Sequence, residues 1–285
     1  MLASFEQFIR ERQYLKNVTP RTLEWYRESL RWLPCESPSQ EQLTEVVVRM
    51  REKGRNAAGC NVSIRAINAY LHWKSGLDRK CASGCPHPRI QQLKEPKVIL
   101  PTFSEFQVGR IVSLKPKGKH ERRRHLLALF LLDTGCRISE ALGVRVRDID
   151  FDNLLVTLDG KGQKQRMAPF SFALRKVMYR YVTDYGRKPE HLLLASRSET
   201  ELARNNVLRE MKALCGDLGF TPPPRTLHAT RHTFAVNYLR RGGSVFHLQK
   251  VLGHSSLEMT RRYANLVTTD LQAVHERVSL LQNRR

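Results

Sequence analysis

Thr134-Gly135-Cys136-Arg137-Ile138-Ser139-Glu140-Ala141-Leu142-Gly143 is the stretch on which the reading of this chain turns. It follows Leu126 to Leu132, an uninterrupted apolar run dense enough to form a buried helix. Ile138, Ala141 and Leu142 continue an apolar face beyond the glycine, which sets Arg137 at the entrance of a buried helix. An arginine is ordinarily a solvated surface charge. One at the mouth of a core is a candidate for holding an anion, with Glu140 placed to steady it or the helix end.

Outward from this stretch the larger part of the chain is mixed. Ser104 to Ser113, Arg122 to Asp133, Phe172 to Tyr185 and Leu202 to Leu218 predict helices. Leu154 to Leu158 and Arg166 to Phe170 predict short strands around Asp159-Gly160-Lys161-Gly162, a hairpin signal because Asp and Gly tolerate positive φ. His191 to Ala195 is a further short strand in this reading. The first part reads as four helices: Leu2 to Leu15, Thr19 to Leu33 with Thr19 as N-cap before Pro20, Gln40 to Lys53, and Ala58 to Lys74. Val62, Ala66, Ala69 and Tyr70 mark an amphipathic face in the last. Pro86, Pro88, Pro96 and Pro101 make residues 86–101 an extended linker. The fold class is mainly α with a small antiparallel β-sheet, and there is no internal repeat.

Charge narrows the partner. Of 285 residues, 49 are Lys or Arg and 27 are Asp or Glu, a net charge of +22 that favours a polyanion. Both parts are basic, with 17 Lys and Arg against 10 Asp and Glu through residue 97 and 32 against 17 after it, so both are expected to touch that polyanion. No apolar run approaches the roughly 20 residues that span a bilayer. The charged start, MLASFEQFIRERQYL, is no secretory signal, so a cytoplasmic protein without membrane attachment is expected. Six irregularly spaced cysteines read as reduced thiols. Cys81, Cys85 and His87 are close enough to share zinc but lack a partner pair, so no metal and no cofactor is expected.

Three more signals complete the set: the Lys161 hairpin, His228-x-x-Arg231, and Leu252-Gly253-His254 followed nine residues later by Tyr263. His228 and Arg231 share one helix face and could grip one phosphate together, whereas His232 points elsewhere on that helix and reads as structural. Tyr185 and Tyr238 also read as structural. Each signal alone has a bland alternative. Together, TGCRISEALGVRVRDIDF, GKGQKQRMAPF, TLHATRHTFAVNYL and LGHSSLEMTRRYANL resemble, in order and spacing, the signature boxes of the tyrosine recombinase (phage integrase) family.

The resemblance implies a helical core-binding, SAM-like domain over 1–85, the linker, a mixed α/β catalytic domain over 102–267, and a tail helix over 268–285 that docks on its own domain or in a neighbouring protomer. It implies Tyr263 as nucleophile forming a 3′-phosphotyrosine, Arg137, Arg231 and His254 around the scissile phosphate, and Lys161, with Lys164 as its rival, protonating the 5′ leaving oxygen. His228 is the expected proton acceptor. The implied function is site-specific DNA recombination on double-stranded DNA with paired inverted core half-sites, by a homotetramer, with accessory proteins possible. The same chemistry without strand exchange would be that of a type IB topoisomerase. A third alternative is a DNA-binding regulator with inert boxes.

Overall fold

The computed structural model describes residues 3–76, 88–96, 100–160, 165–196, 198–254 and 256–264. They fall into two compact units, divided between Val98 and Ile99.

The first unit packs α1 (Ala3–Tyr14), α2 (Pro20–Leu30), α3 (Gln40–Glu52) and α4 (Ala57–Lys74) around Phe8, Leu43, Met50, Ile64 and Tyr70. Ser39 starts α3 with a capping box closed by Gln42, and Asn56 starts α4 by accepting from the Gly59 amide. Thr19 sits at the expected N-cap of α2, but its hydroxyl pairs with that of Thr22 instead of a backbone amide. The buried stripe of α4 runs through Cys60, Ile64, Ile67 and Leu71, with Ala66 and Tyr70 beside it; Val62, expected on that face, is exposed. The chain from Arg89 to Glu95 is extended, as its prolines suggest, yet it is no free tether. Asn68 donates to the Ile90 carbonyl and accepts from its amide, and Asn61 does the same for Leu93, so two side-chain amides imitate a neighbouring strand. Ile90 is buried in the helical core.

The second unit contains α5 (Glu105–Val112), α6 (Lys119–Thr134), α7 (Ile138–Gly143), β1 (Ile149–Asp150), β2 (Leu155–Asp159), β3 (Gln165–Pro169), α8 (Phe172–Asp184), α9 (Arg204–Asp217), α10 (Thr226–Arg240), α11 (Val245–Leu252) and α12 (Leu257–Ala264). The strands form one antiparallel sheet in the order β1-β2-β3. Val156 opposite Ala168 turns the buried face toward the core, and Asp159 opposite Gln165 closes the pairing before the hairpin connection. The fold is thus mainly helical with a small antiparallel sheet. β1 was not foreseen, since two residues carry no alternation. The strand expected at His191 to Ala195 is absent: Leu193 and Leu194 are buried, but the backbone makes only isolated bridges, Arg145 to Leu192 and Ala195 to Glu201.

α6 is the spine of the unit, with Leu126, Leu127, Phe130 and Leu131 fully enclosed. A second, smaller core joins α10, α11 and α12 through Ala235, Val236, Leu248, Leu252 and the ring of Tyr263. No helix among the described residues is long and apolar enough to cross a membrane. Cys35, Cys60, Cys136 and Cys215 are free thiols. Cys81, Cys85 and His87 lie outside the described residues, as does the tail from 265 onward.

Candidate active site

α6 and α11 both end on a glycine in the left-handed conformation, Gly135 with φ of 62° and Gly253 with φ of 64°. A side chain at either place would be strained by φ alone, and each also meets a neighbour: a Cβ on Gly135 would lie 2.2 Å from Phe234, and one on Gly253 2.6 Å from Arg166. These turns expose carbonyls at the negative ends of two helices. Arg231, from the middle of α10, reaches both, donating to the Gly135 carbonyl at 2.9 Å and to the Leu252 carbonyl at 2.8 Å. The side chain is fixed while further N–H groups of the guanidinium stay available for an anion. Burial and the neighbouring Arg137 push its pKa down to about 10, so it remains charged at neutral pH.

Arg137 precedes α7 at its N-cap position, and Glu140 in the first turn reaches back to it. One Glu140 oxygen accepts from the Arg137 guanidinium at 2.7 Å, and the other accepts from the Arg137 amide at 2.8 Å and from Arg166 at 2.7 Å. Glu140 is 4% exposed. Burial raises its pKa, but the Arg137 amide and the Arg166 charge outweigh this and hold the carboxyl below its ordinary value. Arg166, from β3, also donates to the Val251 carbonyl. It therefore ties the hairpin to α7 and to the end of α11, and the sequence reading did not single it out.

Tyr263 projects from α12 with its ring in the small core and is 4% exposed. Its hydroxyl lies 3.0 Å from His232 Nδ1. The expectation that His232 points away from the site is therefore corrected: one residue beyond Arg231 on α10, it faces the phenol. The ring of His254, just past Gly253, lies parallel to that of Tyr263 at 6.2 Å, and its Nδ1 is 2.8 Å from the Thr260 hydroxyl. His228 is exposed, and its Nε2 faces Arg204 at 3.4 Å. Ala229 and Thr230 between them are buried in an unbroken helix, with the Thr230 hydroxyl donating to the Leu227 carbonyl. Lys161 and Lys164 lie outside the described residues.

Arg137, Arg166, Arg231, His254 and Tyr263 share one electrostatic neighbourhood. Burial and the arginines push His254 and His232 down to about 4, so both imidazoles are neutral at pH 7. Burial raises the Tyr263 pKa, with Arg231 and Arg262 pulling the other way, so the phenol is protonated. Cys136, beside Arg137, is fully buried and pushed up to about 12, which leaves it inert as a nucleophile. Tyr181 and Tyr185 pack edge to face, and Tyr238 packs on Phe234 beside the small core that holds the Tyr263 ring. Among the described residues no group of three or more His, Cys, Asp or Glu could hold a metal.

Residues 101–269 match the sequence profile of the phage integrase family. The chain belongs to that family. Its activity class is that of the tyrosine site-specific recombinases, which act in DNA recombination. Tyrosine recombinase XerA of Pyrococcus furiosus is 29% identical over 250 residues, covering 87% of this chain and 83% of the relative. Tyrosine recombinase XerC of Mycobacterium tuberculosis is 30% identical over 79% of this chain and 78% of its own length. The integrase of transposon Tn1549, solved with transposon right end DNA, shares the fold with a TM-score of 0.75 at 19% identity, over 97% of this chain and 99% of that one. XerH recombinase bound to palindromic difH substrate has a TM-score of 0.73 at 17% identity, over 99% and 86%.

Arg166 and His232 escaped the sequence reading for different reasons. Arg166 occupies a strand position where alternation alone gives no reason to turn a charge inward. His232 was judged by its angle on the helix relative to Arg231, but α12 wraps far enough round α10 to meet it.

Proposed function

We propose that this recombinase cleaves and rejoins DNA strands through a covalent phosphotyrosine on Tyr263, with Arg137, Arg231 and His254 gathered about the scissile phosphate. The observation that carries this is a buried, protonated tyrosine hydroxyl set among guanidinium groups in a site with one carboxylate already bound by two of them. In-line attack at phosphorus shifts negative charge onto the nonbridging oxygens, so fixed donors there lower the barrier. Arg231 is held rigid by two helix-terminal carbonyls and Arg137 by Glu140, so neither needs to reorganise when the charge develops. His254 Nδ1 lies 2.8 Å from the Thr260 hydroxyl, and with that hydroxyl as donor the imidazole carries its hydrogen on Nε2, which would make His254 a further donor while neutral. His228, exposed on the Arg231 face of α10, joins Arg231 on the phosphate. Lys161 delivers the proton to the 5′ leaving oxygen.

The partner is double-stranded DNA carrying paired inverted half-sites, held by both basic units, with exchange in a homotetramer assembled with or without accessory proteins. The net charge of +22 supports this, as do the DNA-bound relatives of similar fold. The helical first unit acts as the core-binding domain. The test is Tyr263→Phe, which removes one hydroxyl from a site with many backbone contacts. It is expected to abolish covalent protein–DNA adduct on a denaturing gel while half-site binding persists. Exchange of partners between two labelled duplexes by the wild-type protein distinguishes recombination from relaxation of one plasmid. Adduct persisting in Tyr263→Phe would refute the assignment of the nucleophile.

A further inference from the structure

We propose that His232 is a further catalytic residue, the group that takes the Tyr263 hydroxyl proton on strand cleavage and returns it on rejoining. This rests on Tyr263 being the nucleophile. The structure supplies the geometry directly. Nδ1 of His232 is 3.0 Å from the phenol oxygen, within the reach a general base needs. The Arg231 charge faces that same oxygen, so its lone pairs are drawn toward the guanidinium and its hydrogen toward the imidazole.

The other bases around the phenol are engaged otherwise. The His254 ring lies parallel to the Tyr263 ring and its Nδ1 meets Thr260. Glu140 is shared between Arg137 and Arg166. His228 faces Arg204 from an exposed position.

As the bond from Tyr263 oxygen to phosphorus forms, the phenolic O–H breaks and its proton passes to Nδ1, giving an imidazolium. The bond from phosphorus to the 5′ oxygen breaks, and that oxygen takes its proton from Lys161. Rejoining runs each transfer in reverse.

Substrate and base are coupled through charge. Around His232 stand His228, Arg231 and Arg225 of its own helix and N-cap, and Arg262 and Tyr263 of α12. Burial and these cations keep the free imidazole neutral and weakly basic. A phosphate seated on Arg231 cancels part of that field, and a nearby anion favours the protonated ring. The base therefore strengthens when the scissile group arrives. α10 delivers the phosphate ligand Arg231 and the base His232 from adjacent positions, so their spacing is fixed by helix geometry.

The experiment measures single-turnover cleavage of nicked half-site DNA by the full chain. His232→Phe is expected to slow cleavage roughly 10²–10⁴-fold, the usual contribution of a positioned general base. His232→Asn keeps a hydrogen-bond acceptor near the Nδ1 position without basicity and is expected to stay slow while folding and binding DNA normally. A ring-fluorinated tyrosine at position 263, whose phenol is more acidic, depends less on a base and is expected to recover much of the loss in both variants. A role in packing alone would not respond to phenol acidity. Wild-type cleavage by His232→Asn would overturn the proposal, as would fluorotyrosine rescue of His228→Asn but not of the His232 variants. In either case Tyr263→Phe would still lack adduct, so the nucleophile would stand. Adduct formed by Tyr263→Phe would remove both assignments together.

Discussion

Removing the Glu140 carboxylate should damage stability and chemistry together, in amounts the structure allows to be worked out. Glu140 accepts from the Arg137 amide, the Arg137 side chain and Arg166, and its own side chain is 3% exposed. Arg166 is nearly as enclosed, at 12%, whereas Arg137 is 38% exposed. Breaking a buried ion pair by deleting one partner costs about 3–5 kcal/mol. Water can reach Arg137, so most of that penalty falls on Arg166, and Glu140→Ala is expected near the lower end, about 3 kcal/mol. Glu140→Gln keeps an acceptor for the Arg137 amide and is expected to lose about 1–2 kcal/mol. Urea unfolding measures both. Because folding lowers the carboxyl pKa below its ordinary value of 4.5, the contribution is present above that pH and fades as pH falls through the lower folded value. The gap between wild type and Glu140→Gln should therefore be open at neutral pH and close in acid. Cleavage should fall up to about a hundredfold in Glu140→Ala, since Arg137 loses its brace, while DNA binding holds. A Glu140→Ala protein as stable as wild type and cleaving at its rate would refute the brace.

Gly253→Ala places a Cβ 2.6 Å from Arg166 and keeps φ at 64°, so it is expected to lower stability by about 1–3 kcal/mol and to slow cleavage by shifting His254, measured by urea unfolding and single-turnover assay. Lys161→Ala should slow cleavage far more than binding and be rescued by a substrate whose 5′ bridging oxygen is sulfur, which needs little protonation; rescue of Lys164→Ala instead would reassign the role. Ending the chain after Val267 should preserve binding to one half-site but lose cooperative binding to paired sites in gel-shift titration. Unchanged cooperativity would mean that the tail packs on its own domain.

The sequence revealed elements with strong periodicity or punctuation. α6 declared itself through an apolar run, α2 through Thr19 and Pro20, and the β2–β3 hairpin through its turn residues. β1 has two residues and depends wholly on β2 for its existence. The 191–195 segment shows the converse, since Leu193 and Leu194 are apolar because they are buried, not because they lie in a ladder. The same distinction applies in the site. Arg137, Arg231, His254 and Tyr263 were legible because their local motifs are distinctive. The contacts of Arg166 and His232 were not, because each joins elements far apart in the chain, from β3 to α7 and α11 or from α10 to α12. Such contacts follow from how helices pack, which a linear pattern does not encode.

In the mechanism proposed above, one electrostatic feature keeps this centre quiet until substrate arrives. Arg137, Arg166, Arg231 and Arg262 act on the same few side chains, against one Glu140 carboxylate that two of them already share. Burial, helped by the surplus positive charge, holds both His232 and His254 neutral, and burial also keeps the Tyr263 phenol protonated and away from water. Among the described residues, no group in the free site can therefore both deprotonate the tyrosine and neutralise the cations. In the proposed mechanism, a phosphodiester bound by Arg231 and Arg137 does the second and thereby permits the first, since each unit of negative charge placed there raises the basicity of the imidazole beside the phenol. Charge added to the nonbridging oxygens during attack acts in the same direction. In the proposed mechanism, the field that disfavours activation at rest then favours the transition state, so occupancy of the site by a phosphate promotes activation.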